Sequence, residues 1–265
     1  MEGMQVVIGA AGSTLTHIHR DAHPLISAIV KEQIPTALKW ISAAKGLWIN
    51  VKDHLGISPL LLAISKGQND IVKELIIAGA DIQVIDSEGF NVLHYAAKQH
   101  DSTIIKLLLD KINKNDPLVN MIAMNLQSPI LIACQMYEPN FASHTQLLID
   151  HGANIINGYQ FGKSLLHEAC ERGNIDIAKV LIDKGIPIEA INNKGETALY
   201  CTCLNISKKY FQNIVIFLLN KGADENKYTN IAGSNRPVDL IVAEGLYVRR
   251  RSGEPIVLCK LGEFQ

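Results

Sequence analysis

Val51-Lys-Asp-His-Leu-Gly56-Ile-Ser-Pro-Leu-Leu-Leu-Ala63 returns as Ile85-Asp-Ser-Glu-Gly89-Phe-Asn-Val-Leu-His-Tyr-Ala96, its glycine 33 residues further on. The phrase appears again as Tyr159-Gln-Phe-Gly162-Lys-Ser-Leu-Leu-His-Glu-Ala169. A further 33 residues along it is Asn192-Asn-Lys-Gly195-Glu-Thr-Ala-Leu-Tyr200. A fixed period of this size means one supersecondary unit repeated along the chain, each unit unable to bury its apolar face without its neighbours.

With the glycine as marker, the series runs Asp21, Gly56, Gly89, Leu126, Gly162, Gly195 and Ser234, which makes seven repeats with degenerate ends. Each repeat has a physical grammar. Ser58, Asn91, Ser128, Ser164 or Thr197 is placed to accept backbone N–H groups at a helix start. Pro59 and Pro129 follow at the first helical turn, where a missing N–H costs nothing. The first helix buries residues at i, i+3, i+4 spacing, such as Leu60, Ala63 and Ile64. A turn at Gly67 or Gly173 leads to a second helix, which a glycine ends at Gly46, Gly79, Gly152, Gly185 and Gly222.

This phrase resembles the ankyrin repeat. His23-Pro24-Leu25, Ser128-Pro129-Ile130 and Arg236-Pro237-Val238 keep the Thr-Pro-Leu-like beginning of that family even where the glycine is lost. The resemblance implies an all-α solenoid of about seven helix-turn-helix repeats joined by hairpin fingers, with small residues (Ala63, Ala96, Ala97, Ala133, Ala169) letting the first helices sit close. Bulkier second helices would fan outward and leave a concave face. Residues 1–16 read as a flexible N-terminal tail and 17–262 as the repeat domain, its first and last repeats acting as caps. The finger of repeat 3 is longer, at Asn113-Lys-Asn-Asp-Pro-Leu-Val119, and insertions fall near Tyr137–Ala142 and Asn205–Phe211. Pro255-Ile-Val-Leu-Cys-Lys-Leu261 reads as a short final helix.

The whole-chain numbers narrow the function classes. A formal charge of -1 over 265 residues gives no global field for nucleic acid or an anionic membrane. No apolar run approaches the ~20 residues of a membrane span. The start, Met1-Glu-Gly-Met, is acidic rather than basic, so a secretory signal is not expected. Five cysteines are an odd number and several fall where helices are expected; a reducing, cytoplasmic setting fits them.

Residues that invite chemistry have a plainer account. His94 and His167 hold the histidine of the family's Thr-Pro-Leu-His phrase, which implies a role in tying adjacent hairpins rather than in proton transfer. Cys201-Thr-Cys203 lacks the spacing and the second ligand pair of a zinc site. His167 and Cys170 are i, i+3, yet nothing beside them reads as an oxyanion hole. Gly9-Ala-Ala-Gly12-Ser-Thr14 lacks the lysine of a phosphate loop. Arg249-Arg-Arg251 is the one dense basic run, and three charges give weak, salt-sensitive contact with nucleic acid. The expectation is therefore no catalytic residue, no cofactor and no metal.

What remains is surface. In the family the residues flanking the fingertip glycine, and the end of the first helix, face partners. Those phases hold Leu55, Ile57, Phe90, Met124, Met136 and Phe161 in repeats 2 to 5, and polar residues such as Asn193, Lys194 and Glu196 beyond. The reading is a monomeric interaction module or scaffold that binds a protein partner of unknown identity through fingertips and concave face, without nucleic acid or membrane. Repeats rich in Ile, Asn and Lys, with no attached domain, also resemble ankyrin proteins that intracellular bacteria deliver into host cells to intercept host proteins. An enzyme with its site in the atypical ends or insertions is the alternative from another class.

Overall fold

The computed structural model describes residues 17–18, 23–43, 48–136, 141–156, 159–205, 209–227, 237, 239, 241, 246–249 and 256–260. The expected tail (1–16), the markers Asp21 and Ser234, the helix end at Gly46 and Tyr137–Asn140 of the first insertion lie outside the described residues. Two compact units are distinguished, Met1–Glu88 and Gly89–Gln265.

In the first unit, α1 (Pro24–Val30) packs on α2 (Ile34–Ala43), and α3 (Pro59–Ser65) packs on α4 (Asn69–Ile77). First helix meets first helix (α1 with α3) and second meets second (α2 with α4). A short parallel pairing joins β1 (His17–Ile18) to β2 (Lys52–Asp53). The helix starts follow the sequence grammar: Ser58 Oγ accepts the Leu61 N–H at 3.2 Å, with Pro59 behind it. His23 does the same work in repeat 1, its Nδ1 accepting the Leu25 N–H at 3.3 Å. That tie requires a neutral ring, and burial holds the His23 pKa below its ordinary value.

The second unit repeats the pattern with α5 (Val92–Ala96), α6 (Ser102–Lys111), α7 (Pro117–Asn120), α8 (Pro129–Gln135), α9 (Phe141–Asp150), α10 (Leu165–Glu171), α11 (Ile175–Asp183), α12 (Ala198–Cys203) and α13 (Lys209–Asn220). One row runs α5, α8, α10, α12 and the other α6, α9, α11, α13. Ala96, Ala97, Ala133 and Ala169 are wholly buried in the first row, where a larger side chain would hold the helices apart. Each fully buried leucine or isoleucine between the rows contributes about 1.5–3 kcal/mol. The stack is therefore held mainly by apolar burial.

Two features go beyond the sequence reading. The extra residues in the longer finger of repeat 3 form the helical turn α7. Without a glycine at its end, α6 is left through an extended Ile112, and Asn115 takes the left-handed turn at φ 65°. Asp116 Oδ1 then caps the Leu118 N–H at 2.9 Å, Pro117 opens the turn, and Leu118 and Val119 are buried. Asn91 Nδ2 fixes it by donating to the Leu118 carbonyl at 2.8 Å.

The final helix expected over 255–261 is replaced by a hairpin. β3 (Leu246–Arg249) pairs antiparallel with β4 (Val257–Lys260), and Asn220 at the end of α13 accepts the Ile256 N–H at 2.8 Å. Two short apolar-rich segments can satisfy each other's backbone as strands, whereas a seven-residue terminal helix would leave most of its own end groups unpaired. Upstream, Pro237, Asp239 and Ile241 are helical and Ile241 is buried, as the first helix of a seventh repeat requires.

Candidate functional site: the fingertips

Four fingertips are closed by the same pair of hydrogen bonds. Gly56 N–H donates to the Asp53 carbonyl and Asp53 N–H to the Ile57 carbonyl, both at 3.0 Å. The pattern recurs at Ala123/Leu126, Tyr159/Gly162 and Asn192/Gly195, all between 2.8 and 3.0 Å. The marker residue is left-handed each time, with φ of 75°, 62°, 71° and 75°. Glycine is needed twice over at Gly56 and Gly162. A Cβ there would lie 3.0 Å from the backbone nitrogen of Ser87 or Asn193, because the next finger is seated on the tip. The seating bonds are Ser87 N–H to the Leu55 carbonyl at 3.0 Å and Asn193 N–H to the Phe161 carbonyl at 2.8 Å.

The histidines are built into this framework. His94 Nδ1 accepts the Asn91 N–H at 3.2 Å, while Nε2 faces the Gln127 carbonyl of the next finger at 3.1 Å. His167 repeats this with Ser164 N–H at 3.2 Å and the Glu196 carbonyl at 2.9 Å. At His167 an acceptor at Nδ1 and a donor at Nε2 define the neutral Nε2–H tautomer, whereas His94 Nδ1 also lies 2.8 Å from Asn91 Oδ1; in both rings each nitrogen is engaged by the framework. For His167, burial lowers the pKa and so favours that neutral form.

The cysteines are packed in the core. Cys134, Cys170, Cys201 and Cys203 are buried, and burial pushes the thiols of Cys134, Cys170 and Cys203 up to about 12. A thiol of that pKa holds almost no thiolate at neutral pH, so Cys170 beside His167 is not an activated nucleophile. Among the described residues no three His, Cys, Asp or Glu side chains gather where a metal could sit. No helix among them is long and apolar enough to cross a membrane.

The six surface residues anticipated from the repeat phases divide. Met124 is 78% exposed and Phe161 73% exposed, and Leu55 is exposed as well. Ile57 and Met136 are half-buried. Phe90 is not on this surface, being only 7% exposed. Its ring packs edge-on against His94 at 5.3 Å and Tyr95 at 6.2 Å, and Lys98 Nζ lies 4.7 Å from its centroid. A long ring just past the tip folds back over its own repeat, where it gains apolar and cation–π contact that solvent cannot offer.

Other exposed apolar residues were not anticipated: Ile122 and Leu126 on the finger of repeat 4, Ile156 on the finger of repeat 5, and Leu204 at the end of α12. Leu126 was legible as the stand-in for a marker glycine, whereas Leu204 had no sequence signal separating it from core leucines. The fingers of repeats 4 and 5 are tied by Asn120, whose Nδ2 donates to the Gly152 carbonyl at 2.9 Å and whose Oδ1 accepts the Asn154 N–H at 2.8 Å. Neither 117–137 nor 152–162 contains a single Asp, Glu, Lys or Arg.

Depressions in the surface occur in both units. In the first unit, one of about 730 Å³ is lined by Leu38, Ile41, Asp70, Glu74 and Ile77, on the second helices and away from the fingertips. In the second unit, one of about 510 Å³ opens beside Phe161, Lys163, Glu171, Asn192, Glu196 and Leu204. The second holds both an exposed aromatic ring and a fingertip backbone, so it belongs to the candidate site although it is the smaller.

Comparison with known proteins places this framework. The family model described as ankyrin repeats matches three times, at residues 25–120, 114–190 and 130–229. A subunit of nuclear factor NF-kappa-B from Gallus gallus is 29% identical over 66% of this chain and 17% of its own length. An ankyrin repeat protein of Acanthamoeba polyphaga mimivirus is 30% identical over 67% of this chain and 23% of its own length. The B-cell lymphoma 3 protein homolog of Mus musculus is 24% identical over 74% of this chain and 51% of its own length. The chain thus spans from about a sixth to about half the length of these relatives. The crystal structure of the ankyrin repeat domain of Bcl-3 matches with a TM-score of 0.66 at 22% identity, over 82% of this chain and 93% of that one. At that identity the match speaks for the fold.

Proposed function

Because this chain belongs to the ankyrin-repeat family, whose modules bind other proteins, we propose that it holds a protein partner on the fingertips of repeats 4 and 5. The observation that carries the reading is the pair of charge-free fingers presenting Met124 and Phe161, both more than 70% exposed. Ile122, Leu126 and Ile156 stand exposed on the same two fingers. Depletion of charge with enrichment in Met and Phe is what the core of a protein interface looks like, and large apolar side chains grouped in this way are seldom left uncovered. Leu55 and Ile57 are the counterpart in the first unit. The same surface serves a scaffold in its own cell or a protein delivered into a host cell to intercept host proteins.

Proximity labelling with the full chain in cells identifies the partner. With purified partner, Met124→Ala and Phe161→Ala should each weaken binding at least about tenfold, with melting unchanged, since a buried anchor is worth about 2 kcal/mol or more. Ile77→Ala, equally exposed but on α4, is the comparison. Should Ile77→Ala weaken capture while the two fingertip changes do not, the partner sits on the second helices instead.

A further inference from the structure

The groove of about 510 Å³ in the second unit has an uneven lining. Its two sides carry exposed apolar groups, Phe161 at the fingertip of repeat 5 and Leu204 at the end of α12, which is 56% exposed. Between them lie two half-buried carboxylates in different circumstances. Glu171 is paired with Lys163 at 2.5 Å. Burial works against the Lys163 charge, but the hydrogen bond and charge of Glu171 outweigh it and hold the ammonium above its ordinary pKa. Among the described residues Glu196 has no such partner. Its Oε2 accepts from the uncharged amide of Asn192 at 2.8 Å and from the Cys201 thiol at 3.9 Å, and no described cation lies within ion-pair distance of it.

The field in the groove follows from this inventory. Burial is the main cause that raises the Cys201 thiol; the charges of Glu171 and Glu196 add to it, and Lys163 offsets those charges only in part. Lys194 is exposed on the rim and forms no ion pair among the described residues. Out there its charge is screened within about 8 Å at physiological salt, while the half-buried Glu196 is screened much less. The floor therefore favours a cation, and the walls favour a flat or apolar group.

We propose that this groove takes an arginine side chain from an extended segment of the partner, pairing with Glu196 beside the Phe161 ring, with a neighbouring apolar side chain of that segment against Leu204. The assignment rests on the fingertip-binding reading above. Arginine suits the site better than lysine because its planar guanidinium can bond a carboxylate with two N–H groups and stack on an aromatic face at once. A groove of this size accommodates such a pair of side chains, being within the range of ordinary ligand sites of about 300–1,000 Å³.

The test uses the full chain and a capped Gly-Arg-Leu-Gly peptide, followed by amide chemical shifts, beside the same peptide with citrulline in place of arginine. Citrulline keeps the shape and removes the charge. The arginine peptide should move the amides of residues 192–196 and 204, and the citrulline peptide should bind at least about fivefold more weakly, as expected for loss of a charge-assisted pair. Glu196→Gln should erase that difference, and Lys194→Ala should tighten the arginine peptide. Leu204→Ser, on an exposed side chain, gives a second reading should Glu196→Gln disturb the fold.

Equal binding of the two peptides, or no binding of either, overturns the proposal. If the arginine peptide fails while partner capture still depends on Met124, only the groove assignment falls. If capture is also indifferent to Met124 and Phe161, the fingertip reading falls with it.

Discussion

At the scale of single residues, the repeat imposes a backbone on whatever side chain occupies each phase. Leu126 shows this most directly. Its neighbours in phase are glycines, and it adopts their left-handed conformation at φ 62° with the same hydrogen bond to the carbonyl three residues back, 2.9 Å long. For a residue with a Cβ this costs roughly 1–2 kcal/mol, while glycine would add about 0.5–1 kcal/mol of chain entropy to the unfolded state. The difference favours glycine. Leu126→Gly should therefore raise the melting temperature by about 1–3 °C, measured by circular dichroism. A fall would mean that the exposed leucine makes a contact worth more than its strain. Phe90 teaches the converse: phase decides where the backbone goes, but a long side chain still chooses between solvent and its own repeat.

At the scale of elements, the joint between repeats is a histidine. His167 starts in α10 and ends on the Glu196 carbonyl of the following finger, so one imidazole fixes a helix start and the register of two repeats together. Losing it should cost about 1–3 kcal/mol, because the Glu196 carbonyl is left short of a donor. The pH dependence has a definite sign. Burial holds the folded pKa of His167 below its ordinary value of 6.5, so near that value the unfolded chain binds more protons. The stabilising share is complete above about pH 6.5 and drains away as the pH falls through that value. His167→Ala should lower the melting temperature at pH 7.5 and lessen its further fall towards pH 5.5. His23, whose pKa is also lowered by burial, keeps part of the slope. An unchanged slope would show that folding leaves the proton affinity of the ring unaltered, and a steeper one that the ring is protonated and paired in the fold.

At the scale of the whole molecule, apolar burial and charge make unequal contributions. Exposed ion pairs join successive repeats at Asp150–Lys184 (2.7 Å) and Asp183–Lys221 (3.0 Å), and Glu32–Lys66 does so in the first unit at 3.5 Å. Such pairs are worth about 0–1 kcal/mol each and weaken with salt. Sodium chloride at about 1 M should therefore move the melting temperature by no more than about 2 °C. A drop beyond about 5 °C would show that charge, rather than the packed rows of first and second helices, holds the repeats together.

The sequence by itself determined the repeat, its phases, the capped helix starts at Ser58 and Ser128, the buried alanines and the structural histidines. Those are local or periodic constraints, and the chain states each of them several times over. Only the tertiary structure decided the features that arise once. The longer finger became α7 because Leu118 and Val119 found a buried place and Asn91 a carbonyl to hold. Residues 257–260 became a strand because 246–249 lay alongside to satisfy its backbone. Phe90 turned inward while Met124 and Phe161 stayed out, and Glu196, paired with an amide and a thiol among the described residues, came to lie in a groove between Phe161 and Leu204. A period fixes where a residue sits along the repeat, but its burial and its charge partners depend on which neighbours the folded chain brings beside it.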